Sequence, residues 1–221
     1  MKAIKVARWI GRGSFSALLV LLAMAALPAG VQAQETAQAT SSWHWAGPED
    51  PSPWAVAVFG GQALDSNFSD TVTQPYSSDA TGDYMVALAP SRTFAWYSDK
   101  LSFEAEVMGA FHFGHQQYEE IGGAVYARWH TFPWNDTVRT TLALGLGPSY
   151  TTIYPQIEAQ NDPNNRSRWL NQLNLEASFG LPVYASTEML LRLQHRSGMF
   201  GTMGGVWDGS NFVVLGLRQH F

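Results

Sequence analysis

From residue 54 onward the chain alternates apolar with polar or small residues. In the run 137–153, Val138, Thr140, Leu142, Leu144 and Leu146 fall on one side, with Arg139, Thr141, Ala143, Gly145 and Gly147 on the other. The run 169–181 sets Trp169, Leu173, Leu175, Ala177 and Phe179 against Gln172, Asn174, Glu176 and Ser178. A period of two is that of a β-strand, whose successive side chains point to opposite faces. Eight such runs bounded by turn residues predict eight strands: 54–62, 83–96, 101–114, 122–131, 137–153, 169–181, 188–198 and 211–221.

A soluble sandwich also alternates, so the period alone does not choose an architecture. The polar face does: Glu104, Glu106, Glu176, Arg139, Arg192, Arg196 and Arg218 occupy mid-strand positions. Small transmembrane barrels enclose such paired charges and turn their apolar residues outward. The same residues are therefore expected to form an interior network with no catalytic part. Connections between the runs are alternately long (63–82, 155–168) and short (98–99, 132–136, 182–187), as in outer-membrane barrels with long external loops and short periplasmic turns. The expected fold is all-β, an eight-stranded antiparallel transmembrane β-barrel of the outer-membrane type. Its last strand ends in Phe221 and resembles the terminal signal read by the barrel assembly machinery, an expected partner during insertion.

Residues 1–33 read as a signal peptide: Lys2, Lys5, Arg8 and Arg12 precede an apolar run from Phe15 to Leu27, and Val31-Gln32-Ala33 ends in small residues. Cleavage after Ala33 predicts export and insertion into the outer membrane. Residues 34–53 are polar, proline-rich and unpatterned, a flexible lead-in with Trp43 and Trp45 at the barrel rim; residues 54–221 form the barrel. Without the leader the formal charge falls from −5 to −9, which argues against a nucleic-acid partner. The chain has no Cys, so disulfides and thiol chemistry are excluded.

The candidate chemistry lies in the run 188–198. His195 and Ser197 share the face of Leu191 and Leu193, which in this topology looks outward into lipid near the external end. Polar residues are expensive there and call for a function. An imidazole two residues from a hydroxyl has the spacing of a base and a nucleophile, and the base needs a carboxylate to fix its tautomer. Asp208, in the following loop, is the nearest acid downstream. The triplet alone equally fits a pair of headgroup-level anchors for the strand end.

The stretch Leu191-Arg192-Leu193-Gln194-His195-Arg196-Ser197-Gly198, followed by a Gly-rich loop, Gly209-Ser210-Asn211, Leu215-Gly216-Leu217-Arg218 and Phe221, resembles the lipid A 3-O-deacylase family. Arg128-Trp129-His130-Thr131-Phe132-Pro133-Trp134-Asn135 and Gly145-Leu146-Gly147-Pro148-Ser149-Tyr150 are similar to segments of the wider acyloxyacyl-hydrolase-like group. The resemblance covers roughly residues 100–221. It implies an eight-stranded outer-membrane barrel that removes an ester-linked acyl chain from lipid A through a Ser-His-Glu triad on its outer surface. On that resemblance His195 is the base, Ser197 the nucleophile and Asp208 the acid, an Asp where the family has Glu. The family's Asn after the nucleophile is Gly198 here, so backbone N–H groups of Gly198, Gly201 or Gly204 are the candidate oxyanion donors.

The leading expectation is thus a serine-type esterase acting without a cofactor on lipid A or another outer-leaflet lipid. The alternative is a non-enzymatic barrel with a structural or surface-interaction role, carried by the acidic loop 65–83 or the Asn-rich loop 160–168. A pore is disfavoured, because eight strands leave an interior only wide enough for side chains. His112 and His115, near Glu119 and Glu120, are expected to be rim residues, and no metal site is expected.

Overall fold

The computed structural model describes residues 43–46, 52–74, 77–161 and 163–221; the leader 1–33 lies outside them. Eight antiparallel strands close on themselves: β2 (Trp54–Leu64), β3 (Ala80–Tyr97), β4 (Leu101–Phe113), β5 (Tyr118–Trp129), β6 (Arg139–Thr151), β7 (Trp169–Gly180), β8 (Thr187–Ser197) and β9 (Ser210–His220). Each pairs with its neighbour in sequence, and β2 with β9 completes the barrel. Closure leaves no strand edge in the ring open. Within the lead-in, Trp43–Trp45 forms a short strand, β1, that pairs with Ala95–Tyr97 of β3, beyond the point where β2 begins. The segment 34–53 is therefore not unpatterned throughout: Trp43 packs against Tyr97 and Phe103, with ring centroids 5.2 and 5.1 Å apart.

The outward face is an apolar band that includes Val58, Leu88, Val107, Ile121, Val125, Leu142, Leu144, Leu215 and Leu217, each about half exposed. Aromatic residues flank it, with Trp54, Tyr97 and Trp129 at the end of the short connections and Tyr84, Phe113 and Trp169 at the end of the long ones. An apolar band between two aromatic girdles is the surface of a barrel solvated by lipid.

Inside, three carboxylates meet three guanidinium groups. Arg128 bonds Glu104 at 2.8 Å and Glu176 at 2.7 Å; Arg192 bonds Glu106 at 2.7 Å and Glu176 at 2.6 Å; Arg218 bonds Glu104 at 2.5 Å and Glu176 at 3.2 Å. All six side chains are buried, so the equal count of opposite charges is what makes the arrangement tolerable. The interior is not wholly polar, however. Toward the long-loop end Phe59, Met85, Met108, Leu190, Phe212 and Val214 form an apolar core, with Ile157 of the helix α2 (Gln156–Asn161) packed into it. The lumen is a filled core.

At the opposite end, His130 follows β5 in the turn to β6. Its Nε2 lies 2.7 Å from Ser102 Oγ and its ring packs on Trp96. Burial, reinforced by the nearby positive charge of Arg128, pulls its pKa down to about 4.

Candidate functional site

The alternation along β8 separates two sets of side chains. Glu188, Leu190, Arg192, Gln194 and Arg196 point into the barrel, while Met189, Leu191, Leu193, His195 and Ser197 point out. Arg196, between the two candidate residues, is an internal anchor. It bonds Ser149 Oγ at 2.9 Å, the Arg168 carbonyl at 2.5 Å and the Glu158 carboxylate of α2. These contacts hold the backbone of the strand end from within, so the residues on either side are displayed on the outer surface from a rigid frame.

His195 faces Asn211 across the β8–β9 ladder. His195 Nδ1 is 2.8 Å from Asn211 Oδ1, and Asn211 Nδ2 donates to the Ser66 carbonyl at 2.6 Å. A carbonyl can only accept, so the second bond fixes the amide with its nitrogen toward Ser66 and its oxygen toward the imidazole. Nδ1 then carries the proton it donates to Asn211. In the neutral ring the lone pair falls on Nε2, the nitrogen a base must offer.

The site is covered rather than open to the surrounding phase. The connection from β2 to β3 bends over the outer face and contains the helix α1 (Phe68–Thr73), capped by Asn67, whose side chain accepts from the Asp70 N–H. Phe68 lies on the His195 ring with centroids 4.7 Å apart, and His195 is only 7% exposed. The connection is closed at its neck by Asp65 and Asp79, whose backbones and the Asp65 side chain bond one another, and inside by Ser66 with Ser78 and Thr71, each at 2.6 Å.

Ser197 stands two residues on, also buried, with its backbone paired to Asn171. Among the described residues no hydrogen bond joins its hydroxyl to His195. Asp208 lies within electrostatic range of His195, but its Oδ1 accepts from the Gly209 N–H at 2.8 Å, and Asn211 occupies Nδ1. His195 and Ser197 thus share one strand face two residues apart, and Asp208 does not make the hydrogen bond of a triad acid.

The loop 198–209 turns tightly back on itself. Gly201 N–H donates to the Val206 carbonyl at 3.0 Å and so is not free to face Ser197. A Cβ on Gly198 would come 2.1 Å from that same carbonyl oxygen, so no side chain fits there in this conformation. Gly204 has φ +63° and its own Cβ position is filled by Ser167.

Asn211 and Phe68 were not legible as site residues. Asn211 stands in the segment Gly209-Ser210-Asn211, to which the resemblance assigns no catalytic role, and the bond to Ser66 spans 145 positions. Among the described residues no cluster of three or more His, Asp or Glu is arranged to hold a metal ion.

No protein-family model matches the chain, and no curated protein does. Solved structures do match in fold. The outer membrane enzyme PagL superposes with a TM-score of 0.52 at 11% identity, covering 76% of this chain and 99% of that one. Neisserial surface protein A superposes with a TM-score of 0.49 at 12% identity, covering 78% of this chain and all of that one. At 11% identity the likeness to PagL shows the fold alone, an eight-stranded outer-membrane barrel.

Proposed function

We propose that this chain is an outer-membrane ester hydrolase that cleaves an acyl ester of lipid A or a related outer-leaflet lipid. The observation that carries the reading is the tautomer of His195. Held through Nδ1 by Asn211 on the outer face of the barrel, it leaves the Nε2 lone pair available two residues from Ser197 on the same strand face, at the end of the strand where a lipid ester would lie.

In the proposed reaction His195 Nε2 takes the Ser197 hydroxyl proton as Oγ attacks the ester carbonyl. The C–O bond to the lipid breaks, the imidazolium returns the proton to the departing alkoxide, and water then hydrolyses the acyl-serine by the same base. Asn211 orients the ring and Asp208 supplies a nearby negative charge that favours the transient imidazolium. Phe68, which lies on the His195 ring, must move aside for a substrate to reach the imidazole. The name of one structural neighbour, an outer membrane enzyme, is compatible with this reading.

Mass spectrometry of lipid A from cells with and without the protein tests it. Loss of one acyl chain that depends on both Ser197 and His195 is expected. Identical lipid A in the two strains, with the barrel folded in the membrane, favours a structural or surface-interaction role.

A further inference from the structure

At the short-connection end the outer wall carries a guanidinium. Along β3, Leu88, Pro90 and Arg92 alternate with the buried Ala87, Ala89 and Ser91, so Arg92 points outward, and it is exposed. Among the described outward-facing strand positions it is the only cation. Its register partner is Trp54, the girdle residue that begins β2, and its guanidinium stands 5.3 Å over the Trp54 ring. Arg92 therefore lies at the height of the headgroups, where an outward cation costs little. Among the described residues no carboxylate forms an ion pair with it.

Just beyond Arg92 the backbone of β3 bulges. The register to β4 slips between Thr93 and Ala95, leaving Phe94 as the extra residue. After the bulge Ala95 pairs with the outward-facing Phe103 on one side and with Trp45 of β1 on the other. β1 thereby lays two indoles on the outer wall: Trp43 stacks on Phe103 with ring centroids 5.1 Å apart, and Trp45 lies 6.4 Å from Phe94. Ala95 is the floor between the two aromatic pairs. These four rings, Ala95 and His44 line a cleft of about 280 Å³. Two backbone bonds fix it beside Arg92: Ala46 N–H donates to the Phe94 carbonyl at 3.0 Å, and Thr93 N–H to the Pro53 carbonyl at 2.8 Å.

We infer that Arg92 and this cleft form a binding site for a phospholipid of the leaflet at the short-connection end, one whose headgroup carries both a phosphate and an ammonium, as phosphoethanolamine does. A guanidinium without a carboxylate partner matches phosphate oxygens through its planar fork. The aromatic faces attract an ammonium through their quadrupoles. A phosphate without the ammonium would leave the aromatic cleft without its ion, and an ammonium without the phosphate would meet only the like charge of Arg92. The zwitterion satisfies both halves at once.

The site lies at the opposite end of the barrel from His195 and is independent of the esterase reading. It also accounts for β1, a strand that the ring does not need for closure, since β2 and β9 complete the barrel without it.

The test takes the full barrel with β1 from vesicles holding equal amounts of a phosphatidylethanolamine and a phosphatidylglycerol with the same acyl chains, and counts the retained lipids by native mass spectrometry. The glycerol lipid keeps the phosphate and lacks the ammonium. The wild type should retain the ethanolamine lipid about fivefold or more over the glycerol lipid, the size of one cation–π contact. Trp45→Ala should remove that preference, and Arg92→Gln should lower the retention of both lipids severalfold. Trp169→Ala, which removes an exposed indole at the other end of the barrel, should change neither. Heat-modifiable migration verifies that each variant is folded. Equal retention or a glycerol preference in the wild type, an ethanolamine preference that survives in folded Trp45→Ala or is lost in folded Trp169→Ala, or retention unmoved by Arg92→Gln overturns the inference.

Discussion

Asn211 holds His195 from the neighbouring strand, with Oδ1 2.8 Å from Nδ1, and is itself held by the Ser66 carbonyl of the covering connection. The side chain that orients the base is therefore the one that ties the cover to the barrel. Asn211→Ala should lower turnover on the order of tenfold or more, because the ring loses its fixed tautomer. Asp208→Asn should cost less, since Asp208 acts on the ring through space. Steady-state kinetics of the two variants on one lipid ester checks the order; a larger loss in Asp208→Asn would return the triad role to Asp208.

Phe68 predicts an opposite sign. Phe68→Ala removes the ring that covers His195 without touching Asn211, so the imidazole should become more reactive. The rate of His195 modification by diethyl pyrocarbonate, read by peptide mass, should rise above wild type. An unchanged rate would mean that other groups bar access.

Glu176 accepts from all three buried arginines, so removing its charge leaves positive groups in a low-dielectric interior. Glu176→Gln should destabilise the barrel by about 3–5 kcal/mol. Urea titration in lipid vesicles, followed by the shift between folded and unfolded migration, measures it. A change under about 1 kcal/mol, the size of an exposed pair, would contradict the network's closure.

His130 gives a pH dependence. Its folded pKa of about 4 lies below the ordinary 6.5, so the folded state resists the proton that the unfolded chain accepts. Its contribution is full above about pH 6.5 and is lost as pH falls toward 4, with an upper limit of about 3 kcal/mol. His130→Gln should flatten the stability profile in that window. An equally steep decline in the variant would assign the acid sensitivity to other groups.

The strands were legible because their side chains report two different solvents. Leu142 and Leu144 against Arg139 and Thr141 mark β6 to within two residues, and the placement of His195 and Ser197 on the face of Leu191 and Leu193 follows from the same parity. The interior was legible only in its charged half. Phe59, Met85, Met108 and Phe212 are apolar on the inner face, where alternation assigns polar residues, because α2 and the long loops close that end against water. Arg128, the third guanidinium of the network, sits in a run flanked by aromatic residues that hid its inward direction. The partner of His195 was hidden for a different reason. A hydrogen bond across a ladder is set by register, and register emerges from the closed ring rather than from any local motif.

The account's central claim is that Ser197 and His195 hydrolyse a lipid ester. It is tested most directly by measuring fatty acid released from purified lipid A by folded wild-type protein, Ser197→Ala and His195→Ala, each reconstituted in vesicles and each verified by heat-modifiable migration. The account predicts release of a single class of acyl chain by the wild type and a loss of at least about a thousandfold in either variant. Equal release by folded Ser197→Ala, or none by the folded wild type, would contradict it.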